Sequence, residues 1–367
     1  MISQGNWQWT EVSPMNEPRT GMAVAVWRGK IFVFGGARTL PRPDIIASAE
    51  VYDPDSDQWS YIEPLPIPLF QASALSVNEG IILLGGLTQR GLNNRVFLYN
   101  PLRNSYQILT QMPHARYSFR VTLLRDDLLL IGGVGEEHQY ERNNLWWRRT
   151  NNQWEKGPEN IYPCGGAALV KNPEPLLIGG NYQGLLDRIE VFRNGRWMIW
   201  NQTRLPQPRS DMGAAIVGDS LLIIAGGSLS MMRGTNTSWG YSFPNRQWLI
   251  LPEMAYSRTG LELVEVEGKA YAIGGANWGR GMEVSILRVV EVLTYAQSTP
   301  PEGDPPITGR TNANQLPTIW LHNGVIMLPD IKGVQSLYLY DLYGREVFHI
   351  LLSNNFSRNL VYSLPTG

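Results

Sequence analysis

Residues 19–36 read RTGMAVAVWRGKIFVFGG, and residues 48–68 read SAEVYDPDSDQWSYIEPLPIP. A small apolar strand, a turn, a second apolar strand and a Gly-Gly doublet follow one another. A third strand with Tyr52 and a hairpin leading to Trp59 complete the unit. The doublet recurs as Gly35-Gly36, Gly85-Gly86, Gly132-Gly133, Gly179-Gly180, Gly226-Gly227 and Gly274-Gly275, in steps of 50, 47, 47, 47 and 48 residues. An aromatic follows at similar distance as Trp59, Tyr106, Trp154, Trp197 and Trp248. A period near 50 with these landmarks predicts four-stranded blades arranged radially. The first strands (GMAVAV, QASALSV, FRVTLL, GGAALV, GAAIV, GLELVEV) are small enough to converge on a tight axis. Third-strand aromatics Tyr52, Tyr99, Trp147, Phe192 and Tyr241 are expected to pack between blades.

The unit resembles the kelch repeat, whose pattern runs roughly R…A..V..G.IYVFGG……S.EVYDP..N.W..L.PMP. The expected fold is therefore all-β: a six-bladed kelch-type β-propeller. The sixth unit has three strands, from Arg258 to about Ala296, but no Trp hairpin after them. The segment NWQWTEVSPMNEPR at residues 6–19 aligns with DQWSYIEPLPIP at 57–68, putting Trp9 in the role of Trp59. The N-terminal strand is thus expected to close the ring and remove its open edge. The domain reading is a propeller over 1–296, a Pro-rich linker over 297–317 and a small β-rich, sandwich-like tail over 318–367. Within that tail, SLYLYDLYGREV and SLPTG resemble the sorting domain of proteins exported by the type IX secretion system of Bacteroidetes. Tyr340, Asp341, Gly344, Arg345, Leu364, Pro365 and Gly367 carry the likeness. It implies an extracellular or cell-surface protein, whereas the absence of a signal peptide from this chain leaves a cytoplasmic location as the alternative.

Composition narrows the chemistry. A net charge of −1 gives no reason to expect nucleic acid. No apolar run approaches the ~20 residues of a membrane helix. Cys164 is the single cysteine, so an intramolecular disulfide or a multi-cysteine zinc site is ruled out. It is read as a buried inert thiol where the inner strand of blade four should begin. Some kelch propellers resemble galactose oxidase, a copper enzyme. Its tyrosine–cysteine cross-link and histidine ligands find no match here, because only His114 and His138 lie in the propeller. Asp53, Asp55 and Asp57 have half of a calcium-loop spacing but lack its glycine and closing glutamate, and read as a turn. No metal, cofactor or catalytic nucleophile is expected. The leading expectation is a non-catalytic binding protein. A mutarotase- or epimerase-like kelch enzyme and a structural subunit of a cell-surface complex are the alternatives.

Arginine makes up 26 of the 31 cationic residues, and two registers repeat. Arg19, Arg116 and Arg258 stand sixteen residues before their doublet, and Arg209 stands seventeen before. Four residues before the third-strand aromatic come Ser48, Arg95, Asn143, Arg188 and Thr237. The kelch resemblance puts both registers on the face where the second-to-third-strand loops open. These nine residues form the candidate ligand ring, suited to an acidic peptide, protein or glycan. An alternative reading has the arginines bonding carbonyls of the next blade. Glu136, Glu137, Glu141 and Asp187 share these loops, as do Tyr140, Tyr182, Trp239 and Trp278.

Overall fold

The computed structural model describes residues 7–295, except 231–232 and 280–282, together with five strands of the tail. The chain divides into two units, Met1–Ser298 and Thr299–Gly367. In the second unit, Trp320–His322, Val325–Met327 and Val361–Ser363 form one sheet, and Ser336–Tyr340 pairs with Glu346–Leu351. Of the seven residues that carry the sorting-domain likeness, Tyr340 alone falls among the described residues.

The first unit holds six four-stranded sheets. Blade one is Ala23–Trp27, Lys30–Phe34, Ala49–Asp53 and Gln58–Ile62. Blades two to five repeat that order outward from inner strands Ser73–Val77, Arg120–Leu124, Ala168–Lys171 and Gly213–Val217. Blade six takes Glu262–Val266, Lys269–Ile273 and Val290–Tyr295 from its own repeat and Trp7–Val12 from the N-terminus. Trp9 lies opposite Leu293 in that last pairing. The Trp9 Nε1 donates to Ser238 Oγ and Pro252 O of blade five, each at 3.0 Å. Trp59 does the equivalent by donating to Ser13 O at 2.8 Å. Six blades and closure by the N-terminal strand agree with the repeat reading.

The apolar core is divided among the interfaces between blades. Tyr52, Ile31 and Met22 of blade one meet Tyr271, Ile273 and Val290 of blade six in one buried cluster. Phe34 and Ala49 meet Leu83 and Tyr99 of blade two in the next. Each aromatic of the third strand buries its ring against a neighbouring blade, so blades adhere by ordinary hydrophobic burial.

Two sets of backbone hydrogen bonds circle the axis. In the first, the Gly-Gly doublet docks on the following blade. Gly36 N donates to Leu69 O at 2.8 Å, Gly86 N to Arg116 O at 2.9 Å, and Gly275 N to Arg19 O at 3.0 Å. A Cβ on Gly35 would stand 2.4 Å from Leu69 O, and Gly35 has φ +61°. Close approach and a left-handed backbone together demand glycine there. The second set is a closed hexagon around the axis. Gln71 N donates to Gly21 O (2.7 Å), Ser118 N to Gln71 O (3.1 Å) and Gly166 N to Ser118 O (3.2 Å). Asp211 N then donates to Gly166 O (2.7 Å), Gly260 N to Asp211 O (2.9 Å) and Gly21 N to Gly260 O (3.0 Å). All six residues have positive φ, between 52° and 65°.

Candidate functional site

The loops between second and third strands gather on one face, and the first arginine register lies just beneath it. Arg19, Arg116 and Arg258 have no exposed surface, and Arg209 is 1% exposed. Each donates Nη1 to the carbonyl of the first doublet glycine of its own blade. The distances are 2.9 Å from Arg19 to Gly35, 3.1 Å from Arg116 to Gly132, 3.0 Å from Arg209 to Gly226 and 3.1 Å from Arg258 to Gly274. Arg19 also donates Nη2 to Glu50 Oε1 at 2.6 Å, with both side chains fully buried. Arg258 Nη2 meets Glu291 in the same way. The expected ring of ligand-facing arginines is corrected accordingly. These four guanidiniums are interior: all four bond the end of the second strand of their own blade, and, as staples, Arg19, Arg209 and Arg258 also reach its third strand or the residue before it, rather than carbonyls of the next blade. Burial lowers the pKa of Arg209 to about 10, and also depresses Arg116 and Arg258, whose Glu141 and Glu291 partly offset it.

The second register divides. Ser48 Oγ and Thr237 Oγ1 accept Nη2 of Arg19 and Arg209 at 3.2 and 3.3 Å, so both belong to the staples. Blades two and four lack the first arginine, and there the second register supplies Arg95, exposed, and Arg188, half-buried. Arg188 lies over the Tyr162 ring, 3.2 Å from its centroid, an arrangement that a guanidinium favours over an ammonium. Asn143 is exposed and lines a polar pocket of about 650 Å³, with Asn94, His114, Glu136, Tyr140 and Glu141 also in its wall. Tyr140 and Tyr182 meet edge-on at 5.7 Å, and Tyr117 Oη shares a hydrogen bond with His138 Nδ1 at 3.2 Å. Trp239 packs into the core between blades four and five. Arg95 and Asn143 are therefore the exposed second-register members, while Ser48, Arg188 and Thr237 are half-buried.

The axis is barred just inside the hexagon. Arg120 of blade three donates Nη1 to Glu262 Oε1 of blade six, on the opposite side of the ring, at 2.7 Å. Its Nε donates to Ala167 O at 2.6 Å. Burial disfavours the charged Arg120, but Glu262 outweighs this and raises its pKa. The mouth at this level holds about 40 Å³ of space. A vestibule of about 390 Å³, lined largely by Val24, Ala25, Leu75, Ile216 and Leu263, opens at the other end. The loop-face mouth thus gives small ligands no through-path.

Other candidates are spent in structure. Asp53 bonds Lys30 Nζ at 2.6 Å, and Asp57 accepts from Ser13 N and Tyr52 Oη, so the turn reading of these aspartates holds. Cys164 lies four residues before its blade's inner strand, not at its start. Burial pushes its thiol pKa up to about 12, which suits an inert group. Among the described residues, no cluster of three or more His, Cys, Asp or Glu could hold a metal ion. No helix among them is long and apolar enough to cross a membrane.

Comparison with known proteins agrees with this architecture. Residues 18–66 match the Kelch motif. That stretch is the first of the six repeating units. Among curated relatives, beta-scruin of Limulus polyphemus is 34% identical over 135 residues, 35% of this chain and 14% of that protein. Spermatocyte protein spe-26 of Caenorhabditis elegans is 29% identical over 44% of this chain and 29% of its own length. Kelch-like protein 35 of Mus musculus is 25% identical over 58% and 36%. The chain thus spans only about a third or less of the length of these curated relatives. The solved structure of YjhT matches 76% of this chain and 96% of its own with a TM-score of 0.63 at 17% identity, a likeness of fold.

Two features escaped the sequence reading. The carboxylates that answer Arg19 and Arg258 sit at Glu50 and Glu291 on third strands, and a glutamate two residues before Tyr52 and Phe192 was a visible signal. The Arg120–Glu262 bar joins residues 142 apart, and no local pattern announces it.

Proposed function

We propose that the propeller is a non-catalytic module that binds a protein partner, acidic in character, through its loop face over blades two to four. The observation carrying this reading is the pairing there of a polar pocket with an aromatic shelf. Asn143, His114 and Glu141 line the pocket, while Tyr140 stacks edge-on with Tyr182 and Arg188 lies over Tyr162. Tyrosine beside arginine suits an interface, since both offer large contact areas with polar tips. A propeller places such loops on a rigid frame, which limits the ordering cost of binding. Partner capture from the source cells by the full chain tests the proposal. Tyr182→Ala combined with Arg188→Ala is expected to abolish capture while leaving melting within a few degrees of the parent. Capture that survives the double substitution would move the interface elsewhere. Export to the cell surface is proposed with it, supported by the tail's likeness to a sorting domain. An intact cytosolic species in fractionated source cells would end that part.

A further inference from the structure

Six outer strands make the rim of the ring, and each is the free edge of its sheet. Such edges are commonly guarded by a charge or a bulge, because their unpaired backbone groups would otherwise pair with another strand. Trp7–Val12 carries Glu11, Gln153–Lys156 carries Glu155 and Lys156, and Arg196–Ile199 begins with Arg196. Ser105–Gln111 is uncharged, but a bulge opposite Val96 and Phe97 breaks its register. Gln58–Ile62 and Gln247–Leu251 have neither guard. Both are uncharged and pair regularly with their third strand along the whole length.

The flanking residues separate these two. A strand that pairs antiparallel with its own copy about a two-fold axis meets its own two ends in reverse order. In blade one, such a pairing centred on Ser60 sets Asp57 directly against Glu63 of the other copy, and like charges in that position repel. In blade five, a pairing centred on Leu249 sets Asn245 and Arg246 against Glu253 and Pro252 of the other copy. Each Arg246 then stands beside an opposite charge. Arg246 and Glu253 are both exposed, and neither belongs to an ion pair among the described residues. The same register lays Ile250, 62% exposed, opposite Trp248 of the other copy. Trp248 is held ready, its ring 5.2 Å from that of Tyr241 and its Nε1 donating to Thr203 Oγ1 at 2.7 Å.

We infer that Gln247–Leu251 is the contact between two copies of this chain, joining two fifth blades into one eight-stranded antiparallel sheet. Two Ile250–Trp248 pairs cover apolar surface, and two Arg246–Glu253 pairs fix the register. The contact lies on the rim, so it stands independently of the loop-face reading above.

Sedimentation equilibrium of the full chain tests it. A reversible dimer with Kd of ~100 μM or tighter is expected. Ile250→Lys sets a charge against each Trp248 and should weaken the dimer at least about tenfold. Its melting temperature should stay within a few degrees of the parent's, because Ile250 is already exposed. Arg246→Glu alone makes both charge contacts repulsive and should weaken the dimer about as much, whereas adding Glu253→Arg to it should bring the affinity back. A parent that stays monomeric at ~100 μM would overturn the inference. So would a dimer that Ile250→Lys leaves intact, or a double charge reversal that recovers none of the lost affinity.

Discussion

Arg19 and Arg258 show how much one side chain can organise. Each joins a glycine carbonyl at the end of the second strand to a carboxylate on the third, inside a site without solvent. Removing one partner of such a pair strands the other, at a cost of about 3–5 kcal/mol. Arg258→Ala should therefore lower the melting temperature by on the order of 10 °C. Arg116→Ala should cost less, since no buried carboxylate is left behind. Equal losses would mean that the ion pairs contribute nothing beyond the shared glycine bond. Glu190 gives a pH prediction at the same scale. Burial raises its pKa above the ordinary 4.5, against two backbone N–H donors and the charge of Arg188. An acid with a raised folded pKa holds its proton more tightly in the folded state. Its contribution to stability is thus largest at low pH and is lost as pH rises through the window above 4.5. Glu190→Gln should lose less stability than the parent between pH 4.5 and neutrality, as measured by urea unfolding. Parallel pH profiles would contradict this.

At the scale of the element, the doublet glycines and the hairpin glycines do different jobs. Gly35 and Gly132 face a neighbouring blade's carbonyl, where a Cβ would stand 2.4 and 2.5 Å away. Gly195 also has positive φ, at +79°, but a Cβ there would meet nothing within 4 Å. Gly195→Ala should cost only the ~1–2 kcal/mol of a left-handed L residue. Gly35→Ala should cost distinctly more, because blades one and two must separate to admit the methyl. Comparable unfolding free energies for the two variants would refute the docking role. The doublets and aromatics were legible in the sequence because each blade repeats the same physical demand. The hexagon was not. Two of its positive-φ positions are Gln71 and Ser118, residue types that do not advertise such a backbone. The arginine registers were legible as a pattern, but their burial was not. A guanidinium reads alike whether it faces a ligand or a glycine carbonyl, until the third-strand glutamates are placed beside it.

At the scale of the whole molecule, the ring depends on Trp7–Val12. This strand covers the edge of Val290–Tyr295 and adds Trp7 and Trp9 to the core between blades five and six. Deleting residues 1–13 should leave an open edge and an apolar seam, giving a lower melting temperature and self-association on size exclusion. A deletion variant that melts and elutes like the parent would refute closure. The closed ring carries the loop face and the Arg120–Glu262 ion pair crosses its axis, and the loop surface over blades two to four is the place where we propose that a partner binds. Amide hydrogen exchange of the full chain, with and without its captured partner, tests that claim most directly. Protection is predicted in residues 113–117, 134–143, 161–162 and 181–188. Protection confined to the outer strands, such as Gln58–Ile62 and Gln247–Leu251, would contradict it.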